Sequence, residues 1–209
     1  MNVLRIDSLS KSFGKTLVLN SITQEFRGGK IYGIVGENGQ GKTVLYKTLS
    51  GLIKPSHGII SYNGKTRKES SPNIGLVMDE MNLFGYMTAK ENLRFLSEIH
   101  HQIGLPQIEE ALQRVGLNPF DTRKYKKYSL GMKHRTILAQ AIMETPDFLF
   151  LDEPTNGLDE NGVALFHKIV REEADRGAVV FLTSHVKSDL SEIVDTIYEL
   201  SQGNLTECR

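Results

Sequence analysis

Chemistry is concentrated first in Gly36-Glu37-Asn38-Gly39-Gln40-Gly41-Lys42-Thr43, where glycines, an ammonium and a hydroxyl follow an apolar run and precede a helical pattern. The run fits G-x-x-x-x-G-K-[ST] in the strand-to-helix context that this pattern needs. Glycines let a loop wrap with its N–H groups turned inward, and the next helix presents its positive end to the same point. Such a cradle suits phosphates. Lys42 adds a point charge at the β and γ positions, and the Thr43 hydroxyl is a hard oxygen for Mg²⁺ riding on those phosphates. The bland alternative is a turn that merely joins strand to helix, which the Lys-Thr ending disfavours. The cradle by itself does not separate kinases, switch GTPases and motor ATPases.

A second centre is Phe148-Leu149-Phe150-Leu151-Asp152-Glu153, an apolar run ending in two acids. Adjacent bare carboxylates are costly to bury, so water or a metal must be available there. Successive strand residues point in opposite directions. Asp152 is therefore expected in the Mg²⁺ shell, and Glu153 is expected to orient or deprotonate the attacking water. Read without the cradle upstream, the same residues make an ordinary acidic strand end running into the Pro154-Thr155-Asn156-Gly157 turn.

These groups need elements to hold them. Apolar patterning predicts strands near residues 3–6, 22–26, 31–35, 59–62, 74–77, 148–151, 179–182 and 197–200. The runs at 31–35 and 148–151 read as central strands covered on both faces, the habit of parallel sheets, whereas the earliest strands look like an antiparallel edge. Thr88 followed by Glu91 has capping-box spacing ahead of Leu93, Leu96 and Ile99. Further helices are predicted over 107–115, 130–143 and 162–174, with 63–72 as the most polar loop. Strands, then helices over about 85–143, then two more buried strands imply one α/β core with a helical lobe inserted.

Composition narrows the classes. The chain has 209 residues, and its 25 Lys and Arg balance 25 Asp and Glu, so charge gives no general argument for nucleic acid. The basic run 123–127 reads as solvated surface, and His100 and His101 lack metal-ligand partners. The single Cys208 permits no internal disulfide. There is no run of about 18 apolar residues, and the start at Met1 lacks the pattern of a signal peptide. A location in the cytoplasm, with no membrane span in this stretch, is the expectation.

Beyond the cradle, Tyr128-Ser129-Leu130-Gly131-Met132-Lys133-His134-Arg135 stands ahead of Leu151-Asp152-Glu153-Pro154-Thr155-Asn156-Gly157-Leu158-Asp159. Together these segments resemble the ATP-binding-cassette (ABC) ATPase family, whose signature motif precedes the second acid pair and whose D-loop follows it. The resemblance covers essentially the whole chain. It implies a P-loop NTPase core with a mainly parallel sheet, an antiparallel N-terminal β lobe and an inserted helical subdomain. The implied division is one domain over 1–209, with 1–84 and 144–209 as core and about 85–143 as the signature subdomain. It further implies that Phe13 stacks on adenine, that His185 hydrogen-bonds the γ-phosphate, and that Asp159 is the D-loop acid. Ser129, Leu130, Gly131 and Met132 would cover ATP held by a second subunit, either a copy of this chain or a homologous ATPase. The implied partner is a transmembrane permease on the inner face of the membrane, the implied ligands are ATP and Mg²⁺, and nucleic acid is not expected.

The motifs also depart from the family pattern. Leu130 and Met132 replace a signature glycine and glutamine, a variant that resembles exporters of peptide antibiotics, lantibiotics and drugs. Asp79 stands at the Q-loop position usually held by Gln, with Glu80 as the alternative register, and is a further candidate Mg²⁺ ligand. The apolar segment 82–87 would border the permease groove, with internal packing as its other explanation. The competing functions are a nucleotide-sensing module with weak hydrolysis, a soluble non-transport ABC ATPase and a P-loop metabolite kinase. The signature and His185 argue against the kinase.

Overall fold

A long hairpin opens the chain. In the computed structural model, which describes residues 1–78, 81–156, 158–185 and 190–208, β1 (Val3–Phe13) pairs antiparallel with β2 (Thr16–Arg27). On its other edge β1 pairs antiparallel with β4 (His57–Tyr62), and β5 (Lys65–Thr66) closes the order β2-β1-β4-β5. Both hairpin strands run well beyond the apolar cores at 3–6 and 22–26. Polar positions such as Ser8, at φ +51, sit in a register irregularity that hides the alternation. The polar loop expected at 63–72 contains β5, a two-residue edge strand with no apolar signature.

The second sheet has the order β10-β9-β3-β8-β7-β6. Its strands are β3 (Lys30–Val35), β6 (Ile74–Val77), β7 (Phe148–Leu151), β8 (Val179–Ser184), β9 (Thr196–Ser201) and β10 (Asn204–Glu207). Every pairing is parallel except the terminal β9–β10 hairpin. β7 and β8 are buried at every position, as an apolar run without alternation requires when both faces are covered. The pleat divides their side chains between two cores. Phe148 and Phe150 join Phe26, Tyr46 and Phe181 on the side of the hairpin, whereas Leu149 and Leu151 join Ile142, Phe166 and Ile169 on the other. Phe150 and Phe181 stack with centroids 4.9 Å apart and planes 9° from parallel, locking β7 against β8.

Helix α1 (Lys42–Leu49) follows the glycine loop, and α5 (Glu160–Asp175) lies between β7 and β8. Between β6 and β7 come α2 (Ala89–Ser97), α3 (Leu105–Arg114), a single 3₁₀ turn at Tyr125–Lys127 and α4 (Leu130–Ile142). The capping box of α2 is formed: the Thr88 hydroxyl accepts from Glu91 N–H at 3.1 Å and Glu91 accepts from Thr88 N–H at 2.6 Å. Helix α3 starts two residues before the expected Gln107. Pro106 fits its first turn, and the Gln107 side chain folds back to accept the Gly104 N–H at 3.0 Å. Gly75 lets β6 meet α4, because a Cβ there would lie 2.2 Å from the Ala141 carbonyl oxygen.

Candidate functional site

The cradle is shaped by backbone that only its glycines accept without strain. Gly41 has φ +100 as it opens α1, and a Cβ on it would come within 2.8 Å of Val18 on β2. Across the loop a Cβ on Gly36 would lie 2.5 Å from the Leu200 carbonyl oxygen of β9. The C-terminal hairpin also holds the loop at its tip, where Gln202 N–H donates to the Gln40 side chain at 2.9 Å. Glu37, Asn38 and Gly39 form the rest of the loop. Lys42 is buried, with its ammonium donating to the Gly36 carbonyl at 2.5 Å and the Glu37 carbonyl at 3.4 Å. Its ammonium thus rests on two carbonyl acceptors of the loop, which it can exchange for phosphate oxygens.

The parallel register of β7 and β8 builds the second half of the centre. Leu151 pairs with Leu182, so Asp152 and Thr183 emerge side by side. Asp152 accepts from the Thr183 hydroxyl at 2.6 Å through Oδ1 and from the Thr43 hydroxyl at 2.7 Å through Oδ2. A carboxylate and a hydroxyl converging in this way are hard oxygens, and among the described residues no group of three or more His, Cys, Asp or Glu could cage a metal. That set fits Mg²⁺, which takes one or two protein oxygens and completes its shell with phosphate and water. Tyr46 lies beneath Asp152 in the core, its hydroxyl pushed up well above the ordinary tyrosine value by burial and then by the Asp152 charge.

Glu153 adopts φ +48, in the left-handed region. A non-glycine residue there turns its side chain out of the strand line, separating the Glu153 carboxylate from Asp152. The turn is held by two groups. Glu153 N–H donates to the Thr183 hydroxyl at 2.8 Å, and Asn156 donates to Glu153 Oε2 at 2.8 Å. His185, following β8, places Nδ1 3.7 Å from the same oxygen. Thr183, Asn156 and Gln202 had no role in the motif reading. Thr183 follows an apolar run two residues before His185, but its place beside Asp152 comes from the strand register, and the contacts of Asn156 and Gln202 from loop closure, neither of which has a sequence signal.

The remaining candidates occupy other places. Ser129 caps α4 by accepting the Met132 N–H at 3.3 Å, Leu130 is exposed, and a Cβ on Gly131 would meet open space. Ser129, Gly131 and Met132 line a recess of about 340 Å³ with Arg135, Leu158 and Asp159. Asp159 caps α5 by accepting the Gly162 N–H at 2.8 Å and sits 3.8 Å from Arg135. Phe13 ends β1, half exposed. The structure therefore gathers Lys42, Thr43, Asp152, Glu153 and His185 at one centre and opens the α4 recess as a separate concavity. Asp79 and Glu80 lie outside the described residues, as does Gly157.

Comparison with known proteins bears on this arrangement. The sequence model described as "ABC transporter" matches residues 14–156. The ABC transporter ATP-binding protein YybJ of Bacillus subtilis (strain 168) is 43% identical over 97% of this chain and 94% of its own length. The bacitracin transport ATP-binding protein BcrA of Enterococcus faecalis is 34% identical over 98% of the chain and 68% of its own. The lantibiotic transport ATP-binding protein SrtF of Streptococcus pyogenes is 32% identical over 97% and 89%. A solved ATP-binding subunit of an ABC transporter superposes with a TM-score of 0.81 at 23% identity, over 97% of this chain and 88% of that one, and so shares the fold.

Proposed function

The chain belongs to the ABC transporter family as an ATP-binding, ATP-hydrolysing subunit, and from that premise we propose that two subunits close around two Mg-ATP to drive a separate membrane permease. The observation that carries the proposal is the linked set Thr43, Asp152, Thr183 and Glu153, in which one acid is tied to the cradle and its neighbour is turned away.

The division of labour follows. N–H groups of the loop 36–41 and the N-terminal end of α1 hold the phosphates, with Lys42 at the β and γ oxygens. Thr43 and Asp152 hold Mg²⁺, with Asp79 proposed to reach the same shell. When bound, the ion neutralises charge on the phosphates and makes the γ-phosphorus a better electrophile. Glu153 aligns the attacking water and takes its proton, held in place by Thr183 and Asn156, while His185 hydrogen-bonds the γ-phosphate. Phe13 offers an exposed face to adenine.

The N-terminal end of α4 presents the positive end of the helix and the Ser129 O–H, an arrangement that suits an anion. We read Ser129, Leu130, Gly131 and Met132 as the cover for ATP on the second subunit, with Asp159 at the same seam. Stabilisation of γ-phosphate charge would then be completed only on closure, linking hydrolysis to movement. Residues 85–143 are read as the signature subdomain, inserted between core segments 1–84 and 144–209. No helix among the described residues is long and apolar enough to cross a membrane, and a peripheral place on the inner face is proposed. Phe84 and Tyr86 are exposed and cluster with Phe95, which supports this edge as the permease contact. The names of the BcrA and SrtF relatives, bacitracin transport and lantibiotic transport, support a peptide-antibiotic cargo, and export of such a peptide or of a drug is the proposed direction and class.

The test is to express tagged Glu153→Gln in the source cells and identify what co-purifies from detergent-solubilised membranes with ATP. A multi-span membrane protein without its own P-loop is expected. Recovery of ribosomal or DNA-bound proteins alone would overturn the transport reading and leave the ATPase site standing. Stoichiometric ATP binding with no turnover by the wild-type chain beside that membrane protein would favour nucleotide sensing.

A further inference from the structure

We propose that Lys11 is a nucleotide-positioning residue, which binds one face of the Phe13 ring and so presents the other face to the base. The inference rests on the reading that Phe13 stacks on adenine. Lys11 Nζ stands 4.8 Å from the Phe13 ring centroid, within the range of a cation–π contact. The same ammonium donates to the Lys54 carbonyl at 2.8 Å, in the segment between α1 and β4. That segment is itself fixed to β1. Ser12 N–H donates to the Ser56 hydroxyl at 3.0 Å, and Ser56 N–H donates to the Ser10 carbonyl at 2.8 Å.

Lys11 is thus a brace with two anchors, one on the ring and one on a backbone that returns to the strand. The ring needs such a brace, since Phe13 is the last residue of β1, beside the Gly14-Lys15 turn, with 50% of its surface exposed. An exposed aromatic at a strand end loses rotamer freedom when a base stacks on it, and a ring already held loses less. The cation also draws on the π-face opposite the one left for the base. Lys11 would therefore act through Phe13 and make no contact with phosphate.

Binding of Mg-ADP and of Mg-pyrophosphate, measured by calorimetry on the full chain, separates the possibilities, because pyrophosphate fills the cradle but has no base. Lys11→Met is expected to weaken ADP about threefold, in line with an exposed cation–π contact, and to leave pyrophosphate unchanged. Lys11→Arg should restore ADP affinity. Phe13→Ala should weaken ADP about tenfold, as loss of a base-stacking ring does, and in that background Lys11→Met should have no further effect. Unchanged or tighter ADP binding in Lys11→Met would overturn the inference, the latter by showing that the ammonium obstructs the ring. Equal loss of ADP and pyrophosphate would also overturn it, by making Lys11 a phosphate ligand. If Phe13→Ala binds ADP normally, the stacking reading falls and the inference falls with it.

Discussion

Glu153 shows how one residue's backbone sets its chemistry. Its φ of +48 and its bond from Asn156 turn its carboxylate out of the strand line, away from its neighbour Asp152. Glu153→Gln keeps shape and hydrogen bonding but removes the base. Phosphate release should fall by about 10²–10⁴-fold while ATP still binds, measured by a phosphate assay beside calorimetry. Thr183 is the complementary case, since its hydroxyl donates to Asp152 and accepts from Glu153 N–H. Thr183→Val leaves that N–H without its acceptor, at a cost of about 1–3 kcal/mol. We expect a lower melting temperature and a loss of hydrolysis exceeding any loss of ADP affinity, and an unaltered kcat would remove Thr183 from the positioning of Glu153.

Elements differ in what holds them. Strands β7 and β8 depend on tertiary packing, and removing the ring at Phe181, which contacts Phe26 and Phe150, should cost about 3–5 kcal/mol in Phe181→Ala by urea unfolding. Helix α2 depends more on its own start, and Thr88→Ala should cost about 1 kcal/mol. The return bond makes this start sensitive to acid. Thr88 N–H, and after it Lys124, lowers the Glu91 pKa below its usual value, so the charged form is favoured in the fold. Stability from Glu91 is therefore full above its unfolded pKa and disappears as pH falls through the lower folded value. The gap in urea midpoint between wild type and Glu91→Gln should be present at neutral pH and close as pH falls through that lowered folded value; a gap that persists in strong acid would count against the charged cap.

At the scale of the molecule, the two concavities face different tasks. The centre around Asp152 has a cradle and an acid pair, while the recess at the start of α4 is lined by Ser129, Gly131, Met132, Arg135, Leu158 and Asp159 and has no glycine cradle of its own. One subunit therefore holds half of each composite site in the proposed dimer. Light scattering of Glu153→Gln should show a doubled mass with Mg-ATP and not with Mg-ADP. Ser129→Arg, which fills the recess, should abolish that doubling. A mass that stays single under all nucleotides and in the presence of the permease would remove closure from the proposal.

Much of this was legible before any fold was known. The cradle, the acid pair and the cap of α2 are local, because each depends on a few adjacent residue types and on backbone geometry that those types favour. The buried character of β3 and β7 was legible too, as continuous apolar runs have no polar face to leave in water. Only tertiary structure decided which strands lie side by side, and with that the pairing of Leu151 with Leu182 that sets Thr183 against Asp152. It also decided that the Gln202 turn would close on Gln40 and that Lys11 would lie over Phe13 while tied to Lys54. The bonds from Gln202 to Gln40 and from Lys11 to Lys54 join residues distant in the chain. They produce no periodicity or spacing, and arise only once two sheets and a loop have been packed around a common core.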